Sequence, residues 1–422
     1  MLRFIIFLML TIFIRTSVHS QSGVTLDLDA LIQEAIGHNP QLHSAHNQTA
    51  AAKAGIQQVT SLDAPQIGVE FYQMPISSFP LKNNMETDYF VQQMFPWPGK
   101  LSMKGKSAEN FAGMKEQESQ ELNNKIIRDL KAVYYELYLI YKKIEINEEN
   151  KRNMRKIIDI ALKQYEVGNG TQSEILRSQT ELTKLVNEAI ELEKNRRIME
   201  SMINTLIGRP ANERLEGVPE ITVRNVRLDF DRLMALADEK RPELKAMEYN
   251  IKMYRSEYDL TKRELYPDIM VRGMYKNMSE TKDYWSLMVG VDVPIAFWSK
   301  KKYRNKIYEF EHHVNHAQME YKDKRNMIGN EIQNALVTLE SSLKQAEEIK
   351  TNLIPQAEAS LNAALAAYQA GKTSFVMVLD SYRMLLMAKL DYAMNIMNAA
   401  VSESRLEQAV GLSMEKIKER LN

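Results

Sequence analysis

The strongest constraint on this chain is that one stretch occurs twice. The first copy runs from Tyr165 through Gly168, Leu176 and Ser178 to Leu182. The second runs from Tyr368 through Gly371, Leu379 and Ser381 to Leu385, at a common offset of 203 residues. Long helical patterns flank both copies. Glycine is the usual residue where a helix stops in a left-handed conformation. Each copy is therefore predicted to be the tip of a helical hairpin.

The duplication extends over nearly the whole chain. Pro40 pairs with Pro242 and Pro65 with Pro267 at an offset of 202, Pro96 with Pro294 at 198, and Ile207-Gly208 with Val410-Gly411 at 203. A period this long lies far beyond solenoid repeats and implies two similar halves packed side by side. The predicted organisation is a signal peptide over 1–20, a first repeat over 21–208, a linker over 209–228, a second repeat over 229–411 and a tail over 412–422. The leader rests on Arg3, an apolar run over 4–14, and Val18-His19-Ser20 before Gln21. That apolar run is too short to span a bilayer, and no other run is longer.

Within each repeat the periodicity changes from helix to strand and back. A short helix is expected over 27–37, with Leu28, Leu31, Ile32 and Ala35 on one face, and a second from Pro40 to about Leu62. Ile67, Val69 and Phe71 then alternate with polar residues, as do Tyr89, Val91, Gln93 and Phe95 after a Pro/Ser/Asn-rich loop over 75–84. Each run has about the 9–11 residues that a tilted membrane strand needs. Ile126, Leu130, Val133, Leu137, Ile140 and Ile144 form a heptad seam on a long helix over 100–165. A returning helix over 171–207 carries Leu182, Leu185, Ala189, Leu192, Met199, Ile203 and Leu206. Stacked end to end, the returning helix and the one starting at Pro40 match the long one in length.

The second repeat has the same order. Short helices fall over 230–240 and 242–265. Strand candidates are Ile269–Tyr275 and Trp285–Val293. The long helix spans 300–368, with Tyr303, Ile307, Phe310, Val314, Ala317 and Tyr321 on its seam and a kink at Pro355. The linker offers one short strand candidate over 221–226.

Four amphipathic strands cannot close a barrel, and an open sheet edge cannot sit in lipid. The chain must therefore oligomerise, and three copies give twelve strands, an even number suited to an outer-membrane barrel. In this order and doubling the sequence resembles the TolC family of outer-membrane efflux ducts. The carriers are the two strand pairs and the Tyr-x-x-Gly tips followed by Ile175-Leu176 and Val378-Leu379-Asp380. The resemblance implies a mainly α fold with membrane β-strands. Two repeats of long helical hairpins would form an α-barrel, joined to a trimeric twelve-stranded β-barrel with four strands per chain. It also implies an outer-membrane location with a periplasmic extension, a periplasmic adaptor and an inner-membrane pump as partners, and a passive duct that is not an enzyme. The stretch from Gln93 to Leu101, with Pro96-Trp97-Pro98-Gly99, is similar to the branch that serves heavy-metal pumps. A drug duct, a protein-secretion duct and a periplasmic coiled-coil scaffold are the alternatives.

The resemblance also assigns residues. Asp380 matches an acid ringing the periplasmic entrance. Tyr368 and Glu174 match a tyrosine and an acid that latch neighbouring helix pairs shut. Val167, Gly168 and Asn169, with Ala370, Gly371 and Lys372, match the tips that meet the adaptor. The chain departs from the pattern at Met377, where some relatives carry a second ring acid, and at Thr373, where some carry arginine.

Other motifs carry less. Gly99 and Gly105-Lys106-Ser107 look like a phosphate loop, but five residues separate the glycines where the motif needs four. Met384, Met387, Met394 and Met397 share a helical face. They suit either packing or soft metal ions. His312, His313 and His316 include an i,i+4 pair with no third ligand in sight, and His43 and His46 are similar; all read as solvated. With no cysteine, and 55 basic against 55 acidic residues, the chain offers no thiolate chemistry and no field that recruits nucleic acid. No catalytic constellation and no cofactor motif is present.

Overall fold

A computed structural model describes residues 26–72, 86–215, 217–222, 228–278, 281–294 and 296–421. The leader over 1–20 and the loop over 75–84 lie outside the described residues, as do residues 223–226 of the linker strand candidate; Ile221 and Thr222 are not in a strand.

The first repeat is α1 (Leu28–His38), α2 (Pro40–Thr60), β1 (Gln66–Tyr72), β2 (Glu86–Phe95), α3 (Lys100–Glu166) and α4 (Gln172–Ile207). The second is α5 (Phe230–Lys240), α6 (Pro242–Arg263), β3 (Ile269–Met278), β4 (Tyr284–Val291), α7 (Lys300–Glu348), α8 (Ile354–Gln369) and α9 (Phe375–Val410), followed by α10 (Met414–Leu421). β4 stops short of the predicted Val293. The 67 residues of α3 make a rod of about 100 Å. Between α7 and α8 the chain makes a π-turn at Ile349–Leu353, just before Pro355. Proline lacks the N–H of a helical bond and its ring crowds the carbonyl four residues earlier; the wider turn relieves both.

The duplication reappears residue by residue in the cores. Leu31, Ala35, Leu42, Ile126, Leu130, Ile203 and Ile207 form one buried cluster. Leu233, Ala237, Leu244, Ile328, Ile332, Leu406 and Val410 form another, at offsets of 202 and 203. In each, the short helices close over the long helix where the returning helix ends. Asn39 caps α2 through its side-chain oxygen and donates Nδ2–H to Leu206 O at 2.9 Å, so α2 starts where α4 stops. The repeat-ending glycines seal the same corner. Gly208 and Gly411 both have φ of +80°. A Cβ on Gly208 would meet His38 O at 2.9 Å, and one on Gly411 would meet Arg241 Cα at 2.9 Å.

A third cluster is shared by both repeats: Met154, Ile157 and Ala161 of α3, Ile175 and Leu185 of α4, Leu361 and Tyr368 of α8, and Phe375, Val378 and Tyr382 of α9. The α3 seam differs from expectation here. Ile140 and Ile144 are only half-buried, and the buried line continues through Asn147 and Asn150 to Met154. Asn147 Nδ2 donates to Leu185 O at 3.2 Å, which lets an amide occupy the seam. On α7, Ala317 alone of the six expected seam residues is fully buried.

The four strands form one antiparallel sheet in the order β1-β2-β3-β4, and β2–β3 joins the repeats. One face is apolar and exposed: Ile67, Val69, Phe71, Tyr89, Val91, Trp285, Leu287, Val289 and Val291. The other carries Glu70, Asp88, Arg272 and Lys276. There Arg272 pairs with Glu70, and Lys276 pairs with Glu86 at 2.6 Å and Asp88 at 2.9 Å. No helix among the described residues is long and apolar enough to cross a membrane.

Candidate functional site

Both hairpin tips are built alike. Gly168 and Gly371 adopt φ of +79° and +67°. Asn169 N–H reaches back to Gln164 O at 2.8 Å and Lys372 N–H to Ala367 O at 2.9 Å, while the glycine N–H groups bond Tyr165 O and Tyr368 O. This pattern closes the carbonyl ends of α3 and α8. A Cβ at either glycine meets nothing within 4 Å, so the glycine is needed for its backbone angle and not for space. Val167, Gly168, Asn169, Ala370, Gly371 and Lys372 are all exposed. The two tips lie side by side, since Gln164 Nε2 donates to Gln369 O at 3.1 Å.

Just above the tips, Tyr368 Oη donates to Glu174 Oε2 at 3.0 Å. Glu174 belongs to a capping box: the same oxygen accepts Thr171 N–H at 3.1 Å. The Tyr368 ring packs edge-on against Phe375, at 5.4 Å between centroids. Burial, then the bond to Glu174 and its negative charge, push the phenol well above its ordinary pKa. Tyr368 is thus a neutral donor, and Glu174 a fixed acceptor. This contact ties the two repeats of one chain together.

Asp380 lies on the exposed side of α9, with its side chain 60 % accessible. It is not alone. Arg383 Nη1 stands 3.9 Å away, and Arg383 Nη2 bonds Glu181 of α4 at 2.7 Å. Partial burial works against the charge on Glu181, but Lys184 and Arg383 outweigh it and hold the carboxyl below its ordinary range. Arg383 and Glu181 were not legible as site residues, because they lie 202 positions apart.

Three of the four methionines on this face of α9 do not pack within the chain. Met384 and Met387 are 52 % and 65 % exposed, Met394 is exposed, and Met397 is half-buried. Together with Met377, Asp380 and Asp391, the three exposed methionines make a continuous stripe on α9 with heptad spacing. The histidines stay at the surface or stack. His313 lies flat on Tyr254 at 5.2 Å, His316 pairs with Glu320, and His43 bonds Gly37 O. Among the described residues, no group of three or more His, Cys, Asp or Glu is placed to hold a metal ion. In the phosphate-loop-like stretch Gly99 is the left-handed residue before α3 and Gly105-Lys106-Ser107 are ordinary helix: Gly105 is buried where α3 crosses α2, and a Cβ there would meet Thr60 Cγ2 at 2.7 Å.

Residues 31–209 and 233–412 each match the family described as outer membrane efflux protein. The chain belongs to that family. The two matched segments are offset by 202 and 203 residues at their starts and ends, as the duplicated stretches are. The chain is 28 % identical over 171 residues to the cobalt-zinc-cadmium resistance protein CzcC of Cupriavidus metallidurans, a match spanning 38 % of this chain and 40 % of that protein. Its fold is similar to that of CusC, with a TM-score of 0.80 at 16 % identity, covering 94 % of this chain and 96 % of CusC. It is similar too to VceC, an outer-membrane protein of Vibrio cholerae, with a TM-score of 0.78 at 16 % identity, covering 92 % and 96 %.

Proposed function

We propose that three copies of this efflux protein assemble into a passive duct through the outer membrane. The tips take an adaptor, and an inner-membrane pump supplies the cargo. The carrying observation is the sheet. It has one apolar exposed face, an opposite face that carries the charged pairs, and outer strands β1 and β4 whose outer edges pair with no other strand among the described residues. Free backbone groups at such edges cannot be left in lipid. Pairing β4 of one copy with β1 of the next satisfies both, and three copies close the ring. The polar faces, with their Glu70–Arg272 and Lys276–Asp88 pairs, then surround the lumen. The helices continue the same ring into the periplasm.

Purified protein in mild detergent should run as a trimer and form conducting pores in planar bilayers. A stable, strand-rich monomer in detergent would sink the reading. A chain released from cells without detergent would instead be a periplasmic scaffold.

The cargo is heavy-metal cations. Support comes from the α9 stripe, where four thioethers and two carboxylates share an exposed face, and from the likeness to CzcC. Deleting the gene should sensitise cells to copper, silver, zinc or cobalt more than to detergents or dyes. The opposite order of sensitivities makes the protein a drug or general exporter.

A further inference from the structure

The long rods of the two repeats differ by one residue. Ile126, Leu130 and Leu137 of α3 correspond to Ile328, Ile332 and Leu339 of α7 at an offset of 202. Nearer the tips the offset is 203, from Ala161 and Tyr165 to Ala364 and Tyr368. The second rod therefore holds one extra residue between Leu339 and Ala364. In a plain α-helix, one added residue would turn everything beyond it by about 100°. Ala161 and Ala364 nevertheless both lie in the shared core. The π-turn at Ile349–Leu353 absorbs the extra residue, since Ile354 N–H bonds Ile349 O, five residues back. Pro355 fixes the place, because it offers the carbonyl of Thr351 no donor.

The first rod has its own weak point at the same level. Residues 349–353 correspond to 147–150, where the α3 seam runs through Asn147 and Asn150. Both side chains are buried, and Asn147 Oδ1 and Asn150 Nδ2 have no hydrogen-bond partner among the described residues. Such amide groups weaken the seam they sit in. Lys389 of α9 bonds Glu149 at 2.9 Å and stands 3.7 Å from Glu358, so both rods pass α9 at this level.

The same level separates the cores. The shared core at the tips reaches Met154 on α3 and Ile354 on α8. The upper cores come down to Tyr141 on α3 and Leu343 on α7. Between them α9 passes unbroken on Ala388, Ala393 and Asn395, buried side chains small enough for a helix to slide where larger ones would interlock. Two bodies, each with its own core, thus meet where both rods are weakest.

We infer that Ile349–Leu353 and Asn147–Asn150 form one joint, about which the helix ends around the tip core swing as a unit against the upper part of the chain, and that this swing opens the entrance of the duct. The inference rests on the duct reading above. Sharp helix bends occur at π-turns and prolines and reach about 20° or more. The arm below the joint is the 16 residues of α8, about 24 Å long, so a bend of about 20° carries the tip about 8 Å. Because both rods bend at one level, the tip core moves without being pulled apart.

The test uses the full-length assembly. The chain has no cysteine, so a spin label attaches only where one is introduced. A label at Lys163→Cys lies near the tip of α3, and one at Lys344→Cys lies above the joint on α7. Each reads the distance between copies. Tyr368→Phe with Glu174→Ala should raise the first distance by about 8 Å or more and leave the second unchanged. Deleting Thr351 together with Pro355→Ala removes the extra residue and straightens the rod while keeping its faces. In that background the rise at Lys163→Cys and the rise in pore conductance should both be lost. Asn147→Leu with Asn150→Leu closes the other seam and should reduce both rises, should the deletion assemble poorly. Amide exchange of the native assembly reads the joint independently of the latch. Residues 147–150 and 349–354 should exchange about ten-fold faster or more than the helix on either side. Uniform protection through these stretches overturns the joint. So does a straightened chain that opens fully, or a label at Lys344→Cys that moves as far as the one at Lys163→Cys, as in a bend spread along the rod. Conducting pores with uniform protection defeat the joint alone, whereas a preparation that forms no pore defeats the duct.

Discussion

Tyr368 Oη donates to Glu174 Oε2 at 3.0 Å, which binds the end of α8 in the second repeat to the first turn of α4 in the first. The acceptor oxygen also completes the α4 capping box. One carboxylate thus both starts a helix and holds the two hairpins together at the end of the molecule where the tips lie.

A contact of this kind contributes only about 1 kcal/mol, or up to about 3 kcal/mol when the acceptor is charged. Three copies around a ring could be overcome by adaptor binding, which suits a gate. Tyr368→Phe combined with Glu174→Ala should raise the conductance of the isolated assembly in planar bilayers. Tyr368→Phe alone separates the gate from the helix cap, because it leaves Thr171 N–H bonded to Glu174. Unchanged conductance in both variants would remove the latch.

Asp380 should set the ion preference of the entrance. Rings of acid attract cations and reject anions. Asp380→Ala should lower the preference for cations and the block by multivalent cations. Arg383→Gln should do the reverse, since it frees Asp380 of the cation 3.9 Å away. Should Asp380→Ala leave both selectivity and block untouched, the residue does not line the pore.

The glycines divide into two kinds. Gly371→Ala puts a Cβ into open space and should cost about 1–2 kcal/mol, the penalty of a left-handed backbone. Gly411→Ala adds a Cβ 2.9 Å from Arg241 Cα and should cost clearly more. Thermal unfolding of the two variants would check the order. Gly371→Asp should assemble at normal membrane levels yet abolish efflux, because its tip no longer docks. Native resistance at a normal level of that variant would refute docking.

Two half-buried junctions should respond to pH in opposite directions. Glu34 is held below the ordinary carboxyl range by its bond to Arg209, at 2.6 and 2.7 Å. Its contribution is present above the unfolded carboxyl pKa and is lost as pH falls through the depressed folded value. Glu34→Gln should therefore lower thermal stability at pH 7 and match the native chain in strong acid. Glu121 is shifted the other way: burial raises its pKa, against the bond from Gln408 and the nearby Arg241. A raised folded pKa costs stability above that value, and the cost disappears as pH falls to the unfolded one. Glu121→Gln should stabilise at neutral pH and lose its advantage in acid. Parallel pH profiles for the two variants would contradict the assignment.

Much of the architecture was determined by the sequence alone. The duplication, the change of period from 3.6 to 2 and back, and the glycines and prolines at matching offsets specify the element order and the hairpin tips. They do so because helix and strand periods, left-handed stops and missing N–H groups are local properties, written within a few residues. What covers each face was decided only in the folded chain. Heptad spacing marks Met384 and Met387 as one stripe but does not say whether a neighbour buries it; here they stay exposed. The α3 seam passes through Asn147 and Asn150, which an apolar pattern cannot register; the Asn147 amide donates to Leu185 O of α4, and Tyr382 of α9 donates to the Asn150 backbone carbonyl. The pairing of Arg383 with Glu181 and that of Lys100 with Asp268 join residues far apart in the chain. Such contacts depend on which long helices lie side by side, and that is settled by the packing of the folded chain along its whole length.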